Sequence, residues 1–181
     1  MTYHSLDDIL AANEAAHARF IAATAGLSAE QLQFRPAEGQ WTIGEIAEHL
    51  AIVNDGFLRI THKLLKQAEA AGKPARTVLD LGPTSLTDAG EQNPTRFPAP
   101  ERVHPSGTLA LAEAQAKMRE ALDGFAAIKS RIEATDLSDD GFPHPAFGPI
   151  NAYQWMILLG EHQDRHRLQI EGIKAAAGFP A

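Results

Sequence analysis

Two histidines near the end of the chain have the spacing of a metal site. His162 and His166 lie four residues apart, about one turn of a helix. On a helical projection centred on Trp155 they fall about 20° to either side, among the apolar side chains of Leu159 and Ile173. Two imidazoles on one rigid helix can bind a single ion, as they do in metalloprotease helices. Such a pair can equally be two hydrogen-bonded histidines in a core or at a subunit interface.

A third histidine favours the metal. His49 lies near the inner edge of the second predicted helix, about 80° from the centre of its apolar face. Three neutral imidazoles leave one coordination position open, which a catalytic site needs and a structural site lacks. His62 follows about 220° further round the same helix, so we expect it to lie outside the site. His17 lies in the apolar face of the first helix, where it either touches the metal or its bound water or is a hydrogen-bonded core residue.

The remaining polar residues give no clear catalytic group. We expect three histidines in terminal or connecting segments to be solvated: His4, His104 and His144. Four carboxylates are near the histidines in sequence, but their helical angles point most of them outward: Glu45, Glu48, Glu161 and Asp164. Asp164 in particular is expected at the surface. No general base is therefore assigned.

The helices that must position these residues are predicted from apolar spacing, and no segment shows the alternation of a strand. The four predicted helices span about residues 6–25, 43–70, 108–134 and 149–177. Ser5 with Asp8, and Thr42 with Glu45, have the pattern of capping boxes, and Pro149 suits the first position of the last helix. Four amphipathic helices predict an all-α fold, an antiparallel four-helix bundle.

Two irregular connectors are predicted, at residues 71–107 and 136–148. The first holds six of the eleven prolines and is either a functional lid or the long crossover that some bundles need. It also contains apolar residues that gain nothing unless they pack: Val78, Leu79, Leu81, Leu86, Phe97 and Val103. We expect this connector to be largely ordered and to wall one side of the open metal position. The alternative is a crossover on the outside of the bundle, far from the ion.

Composition excludes several classes of protein. The 181 residues carry a net charge of −7 without a basic stripe, so a nucleic-acid partner is not expected. No apolar stretch is long enough to span a membrane. The absence of cysteine excludes disulfides, thiolate zinc sites and a cysteine nucleophile. The first ten residues include two aspartates where a signal peptide needs basic residues, which predicts a cytoplasmic protein. The length suits a single domain over residues 1–181.

Two runs of sequence resemble the DinB-like proteins. Arg35-Pro36, Gly39 and residues 41–50 (WTIGEIAEHL) are similar to the entry into the second helix of that family. Phe147-Gly148, Gln154-Trp155 and residues 162–170 (HQDRHRLQI) are similar to its last helix. The resemblance spans nearly the whole chain, in the same order and at similar spacing. It implies a four-helix bundle with a long crossover, commonly dimeric.

The resemblance also implies a divalent-metal site with His49, His162 and His166 as ligands. This is the pattern of the three-histidine branch, which includes bacillithiol transferases. Members of the superfamily add a low-molecular-weight thiol to an electrophile, or isomerise a substrate with the help of a thiol. Others are described as metal-dependent hydrolases.

We therefore expect a metal-dependent transferase that joins a low-molecular-weight thiol to a small electrophilic substrate. The alternatives are a metal-dependent hydrolase and a non-catalytic, metal-binding, stress-associated bundle. The metal could be zinc, nickel, iron or manganese, because imidazole binds all four. A homodimer is also expected, since Ile157 and Leu168 suggest a second apolar surface on the last helix.

Overall fold

Four long helices form the bundle that the sequence predicts. A computed structural model describes residues 3–75, 99–139 and 141–181. Within these residues the elements are α1 (Leu6–Thr24), α2 (Ala29–Gln33), α3 (Ile43–Ala70), a 3-10 turn (Glu101–Val103), α4 (Leu111–Ala127), α5 (Lys129–Glu133), β1 (Gly141–His144), β2 (Gly148–Asn151) and α6 (Ala152–Lys174). The long helices are α1, α3, α4 and α6.

Side chains cap the first two long helices where the sequence predicts. Ser5 and Asp8 form a capping box at the start of α1, and Thr42 and Glu45 form one at the start of α3. In each box a hydroxyl and a carboxylate satisfy backbone amides that the first turn leaves free. Both predicted helices end within one residue of the observed ends.

The predicted third helix is interrupted. In place of one helix over residues 108–134, α4 ends at Ala127 and α5 begins at Lys129. Between them the amide of Ile128 bonds to the carbonyl of Phe125, three residues back, at 3.3 Å. This tighter turn breaks the α-helical pattern without ending the segment.

The predicted start of the last helix at Pro149 is wrong, because Pro149 lies in a strand. Part of the predicted connector forms a hairpin in which β1 pairs antiparallel with β2, with Pro143 opposite Pro149. Proline has no amide hydrogen, so both strands lack a hydrogen-bond donor at the same position of the ladder. Gly148 has a φ of +70°, which favours glycine. The side chain of Asn151 then caps α6.

The bundle has two apolar clusters, and their membership shows how the helices run. One cluster joins the start of α3 to the end of α6, through residues such as Ile46, Leu50 and Ile170. The other joins the middle of α3 to the start of α6, through residues such as Phe57 and Trp155. The two helices are therefore antiparallel, as predicted. Along the bundle, the predicted ligands of both helices lie between these two clusters.

One premise of the predicted dimer is wrong. Ile157 is 1% exposed and packs inside the bundle, because α6 buries most of its first half. Leu168 is 58% exposed, and among the described residues it is the one large apolar side chain at the surface. The homodimer itself stays a prediction. Among the described residues, no helix is long and apolar enough to cross a membrane.

Candidate metal centre

The three predicted ligands come together between α3 and α6. His49 projects from α3, and His162 and His166 project from α6 one turn apart. One ring nitrogen from each lies within 4.8 Å of the other two. The ring centroids are 4.5 to 5.3 Å apart. His49 and His166 are buried and His162 is partly exposed, so the interior of the bundle is polar at this level.

Hydrogen bonds fix the orientation of two of the rings. Nδ1 of His49 lies 2.7 Å from the carbonyl oxygen of Val103, and Nδ1 of His166 lies 2.9 Å from Oε1 of Gln169. Because these oxygens only accept, each Nδ1 carries the hydrogen and each neutral ring keeps its Nε2 lone pair. Such bonds orient metal-binding histidines in known sites.

The surroundings of His162 are also compatible with a bound cation. Its Nε2 lies 3.1 Å from Nε2 of His166, so two lone pairs face each other unless a proton or a cation lies between them. Its Nδ1 is buried without a hydrogen-bond partner among the described residues. Three imidazoles are a suitable donor set for a divalent transition metal. The residues present therefore fit such an ion.

Burial lowers the pKa of every histidine in the group. The pKa values of His162 and His166 lie well below the ordinary value, mainly because of burial and then because of neighbouring charge, which for His166 comes first from Arg165. Burial also lowers the pKa of His49, although the hydrogen bond to Val103 partly opposes it. Metals bind neutral imidazole, so near pH 7 these rings are in the form that a metal requires.

Aromatic rings cover the group on two sides. The ring of Trp41 lies 4.7 Å from that of His49 and is stacked 6.4 Å from that of His166. The ring of Phe57 lies 6.1 Å from that of His162. Trp41 lies just before Thr42, the N-cap of α3, and helical spacing assigned it no role. Its contact with both helices shows that it also walls the site.

Glu48 is buried, contrary to the expectation that the carboxylates near the histidines point mostly outward. Its carboxylate accepts hydrogen bonds from the amide and hydroxyl of Ser106 at 3.0 and 2.6 Å, and from the amide of Gly107 at 2.8 Å. Burial raises the pKa of Glu48, but these hydrogen bonds outweigh it, and the pKa lies below its ordinary value. The helical angle of Glu48 could not predict these hydrogen bonds, because the donors come from a segment that is distant in sequence.

The end of the long connector therefore packs against α3. Glu48 holds residues 106 and 107, and Val103 of the same segment meets His49. The rest of the expected wall, which includes Leu86 and Phe97, lies in residues 76–98, outside the described residues. That wall stays a prediction.

The other histidines divide as predicted, with one exception. His62 is exposed on α3, away from the three-histidine group, and His4 and His104 are also exposed. His17 is a buried core residue, with Nδ1 3.4 Å from Oε1 of Gln163. This contact is the one that the core alternative for His17 predicts, and His17 is not part of the three-histidine group.

His144 is the exception, because the hairpin partly buries it. Its ring stacks on Phe147 at 4.7 Å and lies 5.2 Å from the ring of Trp155. Burial lowers the pKa of His144 to about 4. Asp164, expected at the surface, is also partly buried, since it pairs with Arg19 of α1.

The chain has relatives with this fold. Residues 12–170 match the family model of the DinB superfamily. The protein YuaE of Bacillus subtilis (strain 168), described as uncharacterized, is 25% identical over 155 residues, which cover 82% of this chain and 86% of YuaE.

Two solved structures share the architecture. TT2238, a four-helix bundle protein, is 20% identical with a TM-score of 0.59, over 95% of this chain and all of TT2238. YfiT from Bacillus subtilis, described as a probable metal-dependent hydrolase with an unusual four-helix bundle topology, is 18% identical with a TM-score of 0.55, over 93% of this chain and 85% of YfiT. The match of the family model to most of the chain confirms the resemblance in sequence, and the chain belongs to the DinB superfamily.

Proposed function

We propose that this chain is a divalent-metal-dependent transferase that joins a low-molecular-weight thiol to a small electrophilic molecule. His49, His162 and His166 are the proposed metal ligands. The observation that supports this most is the convergence of three neutral imidazoles in a chain that has no cysteine. The thiol must then come from a co-substrate.

A divalent ion held by three imidazoles has an open position and can lower the pKa of a thiol or of water. The residues of the chain supply the surroundings for this chemistry. Val103 and Gln169 hold two of the rings in place, and Trp41 and Phe57 restrict the approach of water. The thiol sulfur would bond to the electrophilic carbon, the bond from that carbon to the leaving group would break, and the thiol proton would pass to solvent.

The state of Glu48 favours the transferase over the hydrolase. Hydrolysis benefits from a general base that takes a proton from water, whereas a thiol of lowered pKa loses its proton more easily. Glu48 and Glu161 each precede a proposed ligand in the sequence, and the oxygens of Glu48, which is the buried one of the two, already accept hydrogen bonds from Ser106 and Gly107. A hydrolase remains the second candidate because YfiT, described as a probable metal-dependent hydrolase, shares the fold. A non-catalytic metal-binding bundle is the third.

The test measures turnover by the metal-loaded protein in the presence and absence of a thiol. Thiols displace chloride from 1-chloro-2,4-dinitrobenzene slowly without a catalyst, so we expect chloride release above this uncatalysed rate only when both the thiol and the metal-loaded protein are present. His162→Ala should remove this activity and His62→Ala should retain it. Cleavage of a nitrophenyl ester without thiol would support the hydrolase instead. Lack of both activities over a panel of electrophiles and esters would support the non-catalytic bundle.

A further inference from the structure

The hairpin carries a pair of stacked rings that the steps above do not use. His144 of β1 stacks on Phe147 of the connecting turn, with ring centroids 4.7 Å apart and planes 19° apart. Both side chains are partly exposed, whereas Trp155 of α6, whose ring lies 5.2 Å from that of His144, is buried. The pair therefore covers Trp155 and leaves aromatic surface open to solvent.

This aromatic surface lies beside a proposed metal ligand. Burial is the main cause of the lowered pKa of His162, and a positive charge on His144 is close enough to lower it further. Phe57 continues the aromatic surroundings, with its ring 5.0 Å from that of Trp155 and 6.1 Å from that of His162. His162 is also the one proposed ligand that is partly exposed. A substrate that approaches the metal from the side of His162 therefore passes the hairpin.

His144 also has a hydrogen-bond donor in a fixed position. Its Nδ1 accepts a hydrogen bond from the amide of Ala146 at 3.1 Å, so the hydrogen of the neutral ring is on Nε2. Burial lowers the pKa of His144 to about 4, so the ring is neutral near pH 7. No described residue accepts the hydrogen of Nε2. Sites for small molecules combine apolar and aromatic surface with a few polar groups of this kind.

We propose that the rings of His144 and Phe147 bind an aromatic ring of the electrophilic substrate, and that Nε2–H of His144 donates to an oxygen atom carried by that ring. This rests on the proposed function, because the bound molecule is the electrophile. It goes further by defining the class of substrate, namely an aromatic molecule with an oxygen-containing substituent. Stacked aromatic rings attract each other beyond the effect of the area that they bury.

The test uses 2,4-dinitrotoluene, which has the ring and the nitro groups of 1-chloro-2,4-dinitrobenzene but no leaving group. It is titrated into the full chain loaded with Zn²⁺, without thiol, and binding is followed by NMR. We expect the largest shifts at the amide of Ala146 and the indole of Trp155, and NOEs from the ligand ring to the ring of Phe147. Nitrocyclohexane, which has a nitro group on a saturated ring, should bind about tenfold more weakly.

Two substitutions separate stacking from hydrogen bonding. Phe147→Leu removes a stacking ring, and His144→Phe keeps a ring but removes the donor. We expect each to weaken the binding of 2,4-dinitrotoluene about fivefold. Phe179→Leu is the matched control, because Phe179 is a partly exposed aromatic residue that pairs with Phe34 beyond the other end of α6. It should keep the affinity of the wild type.

NOEs from the ligand to another surface, such as that of Trp41, would overturn this inference, and so would an unchanged affinity in both hairpin variants. The NOEs are measured on the wild type, so they decide the matter even if a variant fails to fold. Binding at the hairpin, without chloride release from 1-chloro-2,4-dinitrobenzene by the metal-loaded protein and thiol, would overturn the proposed function and leave an aromatic binding site. Chloride release with the ligand bound elsewhere would overturn the hairpin site alone.

Discussion

At the scale of single residues, the three proposed ligands are held by different partners. His49 donates to a backbone carbonyl, His166 donates to an amide side chain, and Nδ1 of His162 has no hydrogen-bond partner among the described residues. His162 also faces His166 at 3.1 Å between their Nε2 atoms. Either a hydrogen on Nε2 of His162 or a bound cation must therefore lie between these two nitrogens.

Removing any one of the three imidazoles should abolish stoichiometric metal binding. We expect His49→Ala, His162→Ala and His166→Ala to lose the ion, because two imidazoles hold a divalent metal far more weakly than three. The measurement is the metal content of each protein by elemental analysis after metal-replete expression and dialysis. His62→Ala is the control and should keep one ion per chain. A wild-type protein without a divalent ion would contradict the site.

The sequence predicts the three-histidine group better than it predicts the residues that support it. Helical spacing alone brings His162 and His166 together, since residues four apart share a face. The same rule could have found Gln169, which is three residues from His166. Helical spacing could not find Val103, because this residue lies 54 residues from His49 in the sequence. Its backbone carbonyl accepts the hydrogen bond, and any residue type at this position could supply that carbonyl. Contacts of this kind depend on the path of the chain.

At the scale of elements, the segment of residues 101–109 joins the connector to the site. Glu48 holds this segment on α3, and Val103 within it orients His49. The hairpin packs against a different part of α6, where its His144 contacts Trp155. The sequence missed the hairpin because its strands are four residues long and each contains a proline. Such strands show neither alternation nor high strand propensity.

Loosening the segment should weaken the metal site. Glu48→Gln keeps the size of the side chain but replaces one accepting oxygen with a donor, which leaves amides of residues 106 and 107 competing for the other oxygen. We expect a loss of metal affinity of about 10- to 100-fold, as for other changes in residues that orient ligands. Competition with a chelating indicator measures this affinity.

An exposed carboxylate on the same helix provides the control for Glu48. Asp55 pairs with Arg59 on the surface of α3, so Asp55→Asn should leave the metal affinity within about twofold of the wild type. In metal-free protein, the His49 Nδ1 proton should also exchange faster in Glu48→Gln, as seen by NMR. An unchanged affinity with an unchanged proton signal would show that Glu48 does not support His49.

At the scale of the whole molecule, the histidines interrupt the core. One apolar cluster lies towards the start of α6 and the other towards its end. The apolar faces of the helices predict the fold and the antiparallel order of the helices. The histidines on those faces predict where along the bundle the site lies. The sequence could not give the turn at Ile128 or the position of the connector, which depend on local backbone geometry and on long-range contacts.

A bound metal should stabilise the whole bundle, because it would join α3 to α6 at the level where apolar packing is interrupted. A ligand that binds only the folded state at 100 times its Kd adds about 2.7 kcal/mol to the free energy of unfolding. For a chain of this length that corresponds to a rise in Tm of roughly 5–10 °C. The measurement is thermal unfolding followed by circular dichroism, with Zn²⁺ or with a chelator. His62→Ala should show the full rise and His162→Ala almost none. An equal rise in His162→Ala would mean that the ion binds elsewhere, since the mechanism requires all three imidazoles to draw the two helices together.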